Sequence, residues 1–234
     1  MISEKKEFFF RAVEPFLIYF VLYFPTILQQ QIGAGKIDFD NPYLYLTYYA
    51  VALPQFLFLL WLIRRQEGVT FSDFGFRKPE TPLDILMPVV VLASLFAVQI
   101  AAVLLPRMFG WGYPSAQETM PFSITNSIML LPAFLMFLLT GYTEELYFRS
   151  YLLTYLTRHR IPMAAALMIS AVLFASGHLY QGWTATASVF VIGLVLGLWF
   201  FALKNIHLLA VSHTLFNFFQ LLFIYFTNTA VFSN

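Results

Sequence analysis

The sequence predicts an all-α fold, a polytopic transmembrane helical bundle of about seven spans. Of the 234 residues, 60% are hydrophobic and 11% are charged, whereas soluble domains carry about 25% charged residues. The mean hydropathy is +0.74. A compact soluble fold of this length could not bury so much apolar surface, so lipid must cover part of it. The 28 Phe and 13 Tyr residues are typical of lipid-facing and interfacial surfaces.

Seven apolar segments are long enough to cross a bilayer, which takes about 20 residues each; eight spans is the alternative count. In chain order the segments are Phe8–Gln29, Pro42–Ile63, Pro82–Leu105, Ser123–Tyr142 with a continuation beyond it, Pro162–Gly177, Ser188–Leu203 and His207–Phe226. Pro54, Pro88 and Pro132 lie inside these segments and should kink the helices. Gly193 and Gly197 form a G-x-x-x-G step, which indicates close helix packing.

The basic residues predict the orientation of the bundle. With seven spans, most of them share one side: Lys5, Lys6, Arg64, Arg65, Arg77, Lys78, Arg158, Arg160 and Lys204. Only Lys36 and Arg107 fall on the other side. The positive-inside rule therefore places the N-terminus in the cytoplasm and the C-terminus outside. We expect residues 1–234 to form a single membrane-embedded domain.

Charge and cysteine content exclude several classes of protein. The net charge of +1 gives nucleic-acid binding no electrostatic support, so we expect no nucleic-acid partner. The absence of cysteine excludes disulfides and thiolate metal sites.

No cleavage site of small residues follows the first apolar run, which indicates a retained helix. Very short loops favour a bacterial cell membrane as the location. The sequence does not predict the oligomeric state.

Two adjacent acidic residues, Glu144 and Glu145, lie in the apolar stretch LLTGYTEELYFRSYLL. A carboxylate at membrane depth is costly and is a functional candidate by default. Adjacent helical positions point about 100° apart, so the two side chains should serve different purposes. Glu145 precedes Arg149 by four residues, the favourable order for an ion pair, and we assign this pair to positioning and charge balance. Glu144 is then free to act. The alternative is that both glutamates only cap the cytoplasmic end of the fourth span.

Two of the four histidines are candidates for partners of Glu144. His159 lies in a polar RHR turn, where we expect it to be solvated. His178 ends the fifth apolar segment. His213 lies in the last span with Asn217 four residues on, so both side chains share one helical face. Such a face in an apolar helix needs polar partners.

Glu144, His178 and His213 can meet only if they lie at similar depths in the membrane. At about 1.5 Å per residue, a hairpin of the fourth and fifth helices returns Glu144 and His178 to similar depths. His213 starts only about two turns above the Lys204 corner. For all three to meet, the fourth helix must continue to near Thr157 and project past the inner membrane surface.

Three motifs stand in order on successive apolar segments. They are E-E-x-x-x-R at Glu144, Glu145 and Arg149, F-x-x-x-H at Phe174 and His178, and H-x-x-x-N at His213 and Asn217. With these motifs the chain resembles the CAAX protease and bacteriocin-processing (CPBP, or "Abi") family of intramembrane endopeptidases, which is related to the type II CAAX prenyl endopeptidases. The resemblance covers about residues 142–219 and departs from the family pattern at no key position.

The resemblance implies hydrolysis of a peptide bond in a membrane-associated peptide or a lipid-linked protein. Glu144 would activate water with help from His178, and His213 with Asn217 would stabilise the oxyanion. Phe174 would pack beneath the site. No cofactor is favoured in this mechanism. The chain is expected to lie in the lipid bilayer, with the substrate reaching the site laterally or from the cytoplasm.

Two alternatives stay open at this point. In a zinc-dependent version of the same protease, Glu144, His178 and His213 would bind the metal and leave one position for water. The other alternative is a non-enzymatic membrane protein that binds a ligand or provides immunity through the same polar cluster.

Overall fold

The computed structural model describes residues 13–23, 37–110 and 122–232. These residues form a helical bundle, which confirms the predicted all-α fold class. The helices are α1 (Val13–Tyr23, its described part), α2 (Pro42–Arg64), α3 (Pro82–Met108), α4 (Leu130–Glu145), α5 (Thr154–Arg158), α6 (Met163–Ser176), α7 (Trp183–Leu203) and α8 (Ile206–Phe232).

In the part of the chain that the structure describes, five helical stretches are long and apolar enough to cross a membrane. They are α2, α3, the continuous stretch Ser127–Arg158, α7 and α8. The predicted fifth span, Pro162–Gly177, corresponds to α6, which has only 14 residues. A helix of that length measures about 21 Å, less than the ~30 Å hydrocarbon core, so α6 is too short to cross alone. The flanks of the predicted first span, residues 8–12 and 24–29, lie outside the described residues.

The starts of two spanning helices follow from local sequence. The side chain of Asn41 caps α2, and Pro42 occupies its first turn. Thr81 and Asp84 form a capping box at the start of α3. Such caps satisfy backbone N–H groups that lack partners within the helix. Pro132 falls in the first turn of α4, where its missing N–H costs little, so no kink is required there.

A π-helical segment, Leu146–Leu153, joins α4 to α5 without a break. All eight of its residues are buried. Short π-helical stretches inside α-helices occur frequently at functional sites. This one begins directly after Glu144 and Glu145 and contains Arg149, so the helix changes its winding next to the predicted acidic pair.

Within the described residues, the predicted cytoplasmic cations from Arg64 to Lys204 lie at one end of the bundle, which we call the basic end. The loop of residues 65–81 reaches across this end. The N–H of Ile206 donates to the carbonyl of Gly75 at 2.8 Å, and Arg158 lies 3.5 Å from the carbonyl of Glu67. The corners that follow α2, α5 and α7 are thus neighbours. Their proximity agrees with the expectation that the basic loops between the seven segments share one side. The orientation of that side across the membrane stays a prediction.

The opposite end contains a two-stranded parallel sheet that the sequence did not predict. Strand β1 (Ile37–Asp38) pairs with β2 (Phe122–Ser123). Each strand has two residues, which is too short to give a periodic pattern. Asp40 follows β1 and accepts hydrogen bonds from the backbone N–H groups of Thr125 and Asn126 at 2.9 Å each.

Helices α6 and α7 pack closely through the predicted G-x-x-x-G step. A Cβ atom at Gly193 would lie 3.2 Å from Ala171 Cα, and one at Gly197 would lie 2.6 Å from Leu167 Cδ2. A side chain at either glycine would require the neighbouring atoms of α6 to shift. The main hydrophobic core surrounds the π-helical segment, where Leu146, Leu152 and their neighbours are buried.

Candidate active site

Glu144 and His213 lie at similar depths in the bundle. Ser150 donates to the carbonyl of Phe74 at 2.6 Å, and the next residue, Gly75, accepts from Ile206. Ser150 is therefore close to the level of the Ile206 corner. Glu144 lies six residues inward from Ser150, about 9 Å, and His213 seven residues inward from Ile206, about 10 Å.

The same contacts show how far the helix runs past this level. From Ser150 the chain continues as a helix for eight residues to Arg158, which corresponds to about 12 Å. The α5–α6 hairpin therefore projects beyond the Lys204–Ile206 corner. This extension agrees with the continued fourth helix that the sequence predicted, while the position of the hairpin relative to the membrane surface stays a prediction.

Glu145 is fully buried and holds groups from two helices. Its Oε1 atom lies 3.1 Å from Arg149 Nη1 and 2.8 Å from His213 Nδ1. An ionised carboxylate only accepts hydrogen bonds, so Nδ1 of His213 carries a proton. Glu145 thereby fixes the orientation of the imidazole ring and balances the charge of Arg149, which is also fully buried.

Glu144 has a different environment from its neighbour. Its side chain retains 17% exposure, and Oε2 lies 3.6 Å from His213 Nε2. His213 therefore lies between the two glutamates, with one ring nitrogen toward each. The adjacent acidic side chains point apart, and only Glu144 faces open space.

His178 follows the end of α6, where the helix stops short of crossing. Its Nδ1 lies 2.9 Å from the carbonyl of Phe174. Since a carbonyl only accepts, Nδ1 carries the proton, and in the neutral ring Nε2 is left with a free lone pair. This tautomer suits a group that accepts a hydrogen bond from water.

Phe174 forms the floor of the site. Its ring centroid lies 4.4 Å from Arg149 Cζ, 5.1 Å from the His178 ring and 5.9 Å from the His213 ring. A cation over an aromatic face is attracted by the ring quadrupole. Arg149 also lies 3.4 Å from the carbonyl of Gly193, which the close packing of α6 and α7 brings within reach.

A cavity of about 1320 Å³ opens next to these groups. Four predicted site residues line it: Glu144, His178, His213 and Asn217. Asn217 is half-buried, one turn after His213. Glu145 and Arg149 are buried outside the lining. The cavity extends to Ile37 and Phe122, at the end opposite the basic end.

Residues of the first helices contribute to the cavity, and sequence reasoning gave them no role. Tyr23 of α1 and Tyr48 of α2 both line it. No short motif marks them, because they come from separate helices and each is one of 13 tyrosines. A hydroxyl inside an otherwise apolar segment was the available signal, since a buried polar group needs a partner.

The acidic and histidine side chains determine whether a metal ion would fit the site. Within residues 13–23, 37–110 and 122–232, no group of three or more His, Asp or Glu side chains is arranged to hold one. Glu144, His178 and His213 face a common cavity without forming such a group.

The fold and the site define a helical membrane protein with an acid–histidine cluster beside an internal cavity. Residues 126–219 match the family model described as type II CAAX prenyl endopeptidase Rce1-like. The matched range contains all six predicted site residues. The match confirms the resemblance carried by the three motifs and supports assignment of the chain to the CPBP/CAAX protease family. Neither the curated proteins nor the solved structures gave a match.

Proposed function

We propose that this protein is an intramembrane endopeptidase that hydrolyses a peptide bond in a membrane-associated peptide or protein. The observation that carries the proposal is the separation of the two glutamates. Glu144 faces the cavity with His178, His213 and Asn217, while Glu145 is buried against Arg149. One carboxylate is thus available for chemistry, and the other is engaged in positioning.

The first step activates water. The Glu144 carboxylate accepts a proton from a water molecule in the cavity, and Nε2 of His178 orients that water by accepting a hydrogen bond. Positioned general bases of this kind contribute about 10²–10⁴-fold to rates. The water oxygen forms a bond to the scissile carbonyl carbon. The π electrons of the carbonyl group move to the carbonyl oxygen, which becomes the oxyanion.

The second requirement is stabilisation of the oxyanion. His213 donates from Nδ1 to Glu145, so in its imidazolium form Nε2–H is directed toward the cavity side. The side-chain amide of Asn217, on the same helical face, supplies a second donor. Donors fixed in advance at the position of developing charge need no reorganisation during the reaction.

The last step breaks the peptide bond. The protonated Glu144 gives its proton to the leaving nitrogen as the oxyanion collapses, and the C–N bond breaks. The products are a carboxylic acid and an amine. Glu144 returns to its ionised form, so each turnover consumes one water.

The cavity also supports the class of substrate. Its volume of about 1320 Å³ exceeds that of typical small-molecule pockets, about 300–1,000 Å³. Its wall combines aromatic rings with a few polar groups, which suits an amphipathic or lipid-linked peptide. We place the protein in a bacterial cell membrane because of its very short loops.

The test is cleavage of amphipathic, internally quenched peptides by purified protein in detergent, with the products identified by mass spectrometry. Glu144→Gln should lower the rate at least about 100-fold and leave the thermal unfolding temperature unchanged. Glu80→Gln in the exposed loop before α3 is the matched control and should cleave as the wild type does. Equal cleavage by wild type and Glu144→Gln would reject the proposed function.

A further inference from the structure

Tyr23 lies outside the family match, which begins at residue 126, and its hydroxyl is buried. The residue lines the cavity. Within the described part of the chain, its Oη atom has no hydrogen-bond partner. Buried polar groups are nearly always hydrogen-bonded, and an exception calls for a specific explanation.

The Tyr23 ring is held rigidly. It stacks on Tyr19 with ring centroids 5.5 Å apart. It also contacts Tyr147 at 5.3 Å and Phe148 at 5.2 Å. The side chain of Gln55 on α2 donates to the carbonyl of Leu22 at 2.7 Å. These contacts fix the backbone and ring of Tyr23, so the hydroxyl cannot easily turn away to find a partner.

The Tyr23 hydroxyl differs from those of two other tyrosines that line the cavity. Tyr23, Tyr48 and Tyr180 all line the cavity that Glu144 also lines. The Tyr48 hydroxyl bonds to Thr140 Oγ1 at 2.6 Å, and that of Tyr180 accepts from a neighbouring glutamine at 2.9 Å. Of the three, Tyr23 alone lacks a partner among the described residues.

We propose that the Tyr23 hydroxyl donates a hydrogen bond to a carbonyl oxygen of the peptide bound beside Glu144. Phenylalanine would keep every ring contact and avoid the unpaired hydroxyl, so the hydroxyl is explained by a ligand that completes its bonding. A peptide backbone offers carbonyl acceptors whatever its side chains. This inference rests on the proposed function and gives α1 a direct part in substrate binding.

The test compares Tyr23→Phe with Tyr147→Phe. Tyr147 packs against Tyr23, but its hydroxyl donates to the carbonyl of Pro15 at 2.6 Å and it does not line the cavity. Tyr23→Phe should reduce kcat/KM for the quenched peptide about tenfold or more, and its thermal unfolding temperature should be unchanged or higher. Tyr147→Phe should show the reverse: a lower unfolding temperature and wild-type kcat/KM.

A second arm separates failure of this inference from failure of the proposed function. Peptide affinity is measured on Glu144→Gln, with and without Tyr23→Phe, so no cleavage is needed. A lower peptide affinity when Tyr23→Phe removes the hydroxyl supports the inference. Wild-type cleavage by Tyr23→Phe, or equal affinity of the two binding variants, would overturn it. If wild type binds the peptide but never cleaves it, the peptidase proposal fails. The affinities of the two binding variants still show whether the Tyr23 hydroxyl contacts the peptide.

Discussion

His213 donates from Nδ1 to Oε1 of Glu145 across 2.8 Å, and this contact joins α8 to α4 inside the bundle. The same oxygen lies 3.1 Å from Arg149 Nη1. Burying a charge is costly unless it is paired and hydrogen-bonded. One carboxylate oxygen therefore keeps both an arginine and a candidate catalytic histidine in place, and the buried pair supports the cavity-facing Glu144.

Replacing Glu145 should affect folding strongly. Glu145→Gln removes the negative charge and leaves Arg149 buried without a counter-charge. Breaking a buried ion pair in this way costs roughly 3–5 kcal/mol. Chemical unfolding in detergent measures this loss. Removing both charges, in Glu145→Gln with Arg149→Met, should recover part of it, because no isolated charge remains. A Glu145→Gln variant as stable as wild type would contradict the pairing.

The contact between α4 and α8 should tolerate no extra atom at Gly141. A Cβ there would lie 2.7 Å from Thr214 Oγ1 and 3.0 Å from the carbonyl of Ala210. Gly141→Ala should therefore push apart the helices that carry Glu145 and His213, lowering stability by about 1–3 kcal/mol and reducing cleavage. Thr214→Ser keeps the hydroxyl and serves as the near-neutral control. Unfolding and cleavage assays on both variants check this, and a fully active, stable Gly141→Ala would count against the close packing.

Asp40 should make the stability of the protein depend on pH at the end of the bundle that carries the two-stranded sheet. Burial raises the pKa of the Asp40 carboxyl, but hydrogen bonds from the Thr125 side chain and from the N–H groups of Asn126 and Thr125 outweigh it, so the pKa is lower than usual. A lowered pKa stabilises the fold above the unfolded value of about 3.9, and this contribution is lost as the pH falls through the folded value.

The corresponding variant is Asp40→Asn. At pH 7 its thermal unfolding temperature should be lower than that of wild type. The difference should narrow as the pH falls below about 4, because the wild-type carboxylate then becomes protonated. Scans from pH 7 to pH 3 test this. A difference that stays constant over that range would show that the charge of Asp40 is not involved.

The sequence predicted the helical bundle, because each long helix is a local run of apolar residues. The placement of Glu144 and Glu145 on different faces also follows from helix geometry alone. The contact of His213 with Glu145 could not be read from spacing, since it depends on how α4 and α8 pack. The same holds for Tyr23, which reaches the cavity through contacts between distant helices. The bounds of α6 were predicted closely, as residues 162–177, but a segment of that length was wrongly counted as a span.

Chelation tests the zinc-dependent alternative. The mechanism derived from Glu144, His178, His213 and Asn217 uses side chains only, so wild-type cleavage should survive a strong metal chelator. A zinc peptidase inactivated by the same treatment in the same detergent is the positive control. Loss of activity that added zinc restores would instead make Glu144, His178 and His213 metal ligands.

The most direct test of the division of roles is a side-by-side measurement of cleavage rate and unfolding temperature for wild type, Glu144→Gln and Glu145→Gln. Both substitutions replace a carboxylate with an amide of the same size at adjacent positions. We expect Glu144→Gln to be inactive with the unfolding temperature of wild type, and Glu145→Gln to unfold at a clearly lower temperature. Wild-type cleavage by Glu144→Gln would contradict the account.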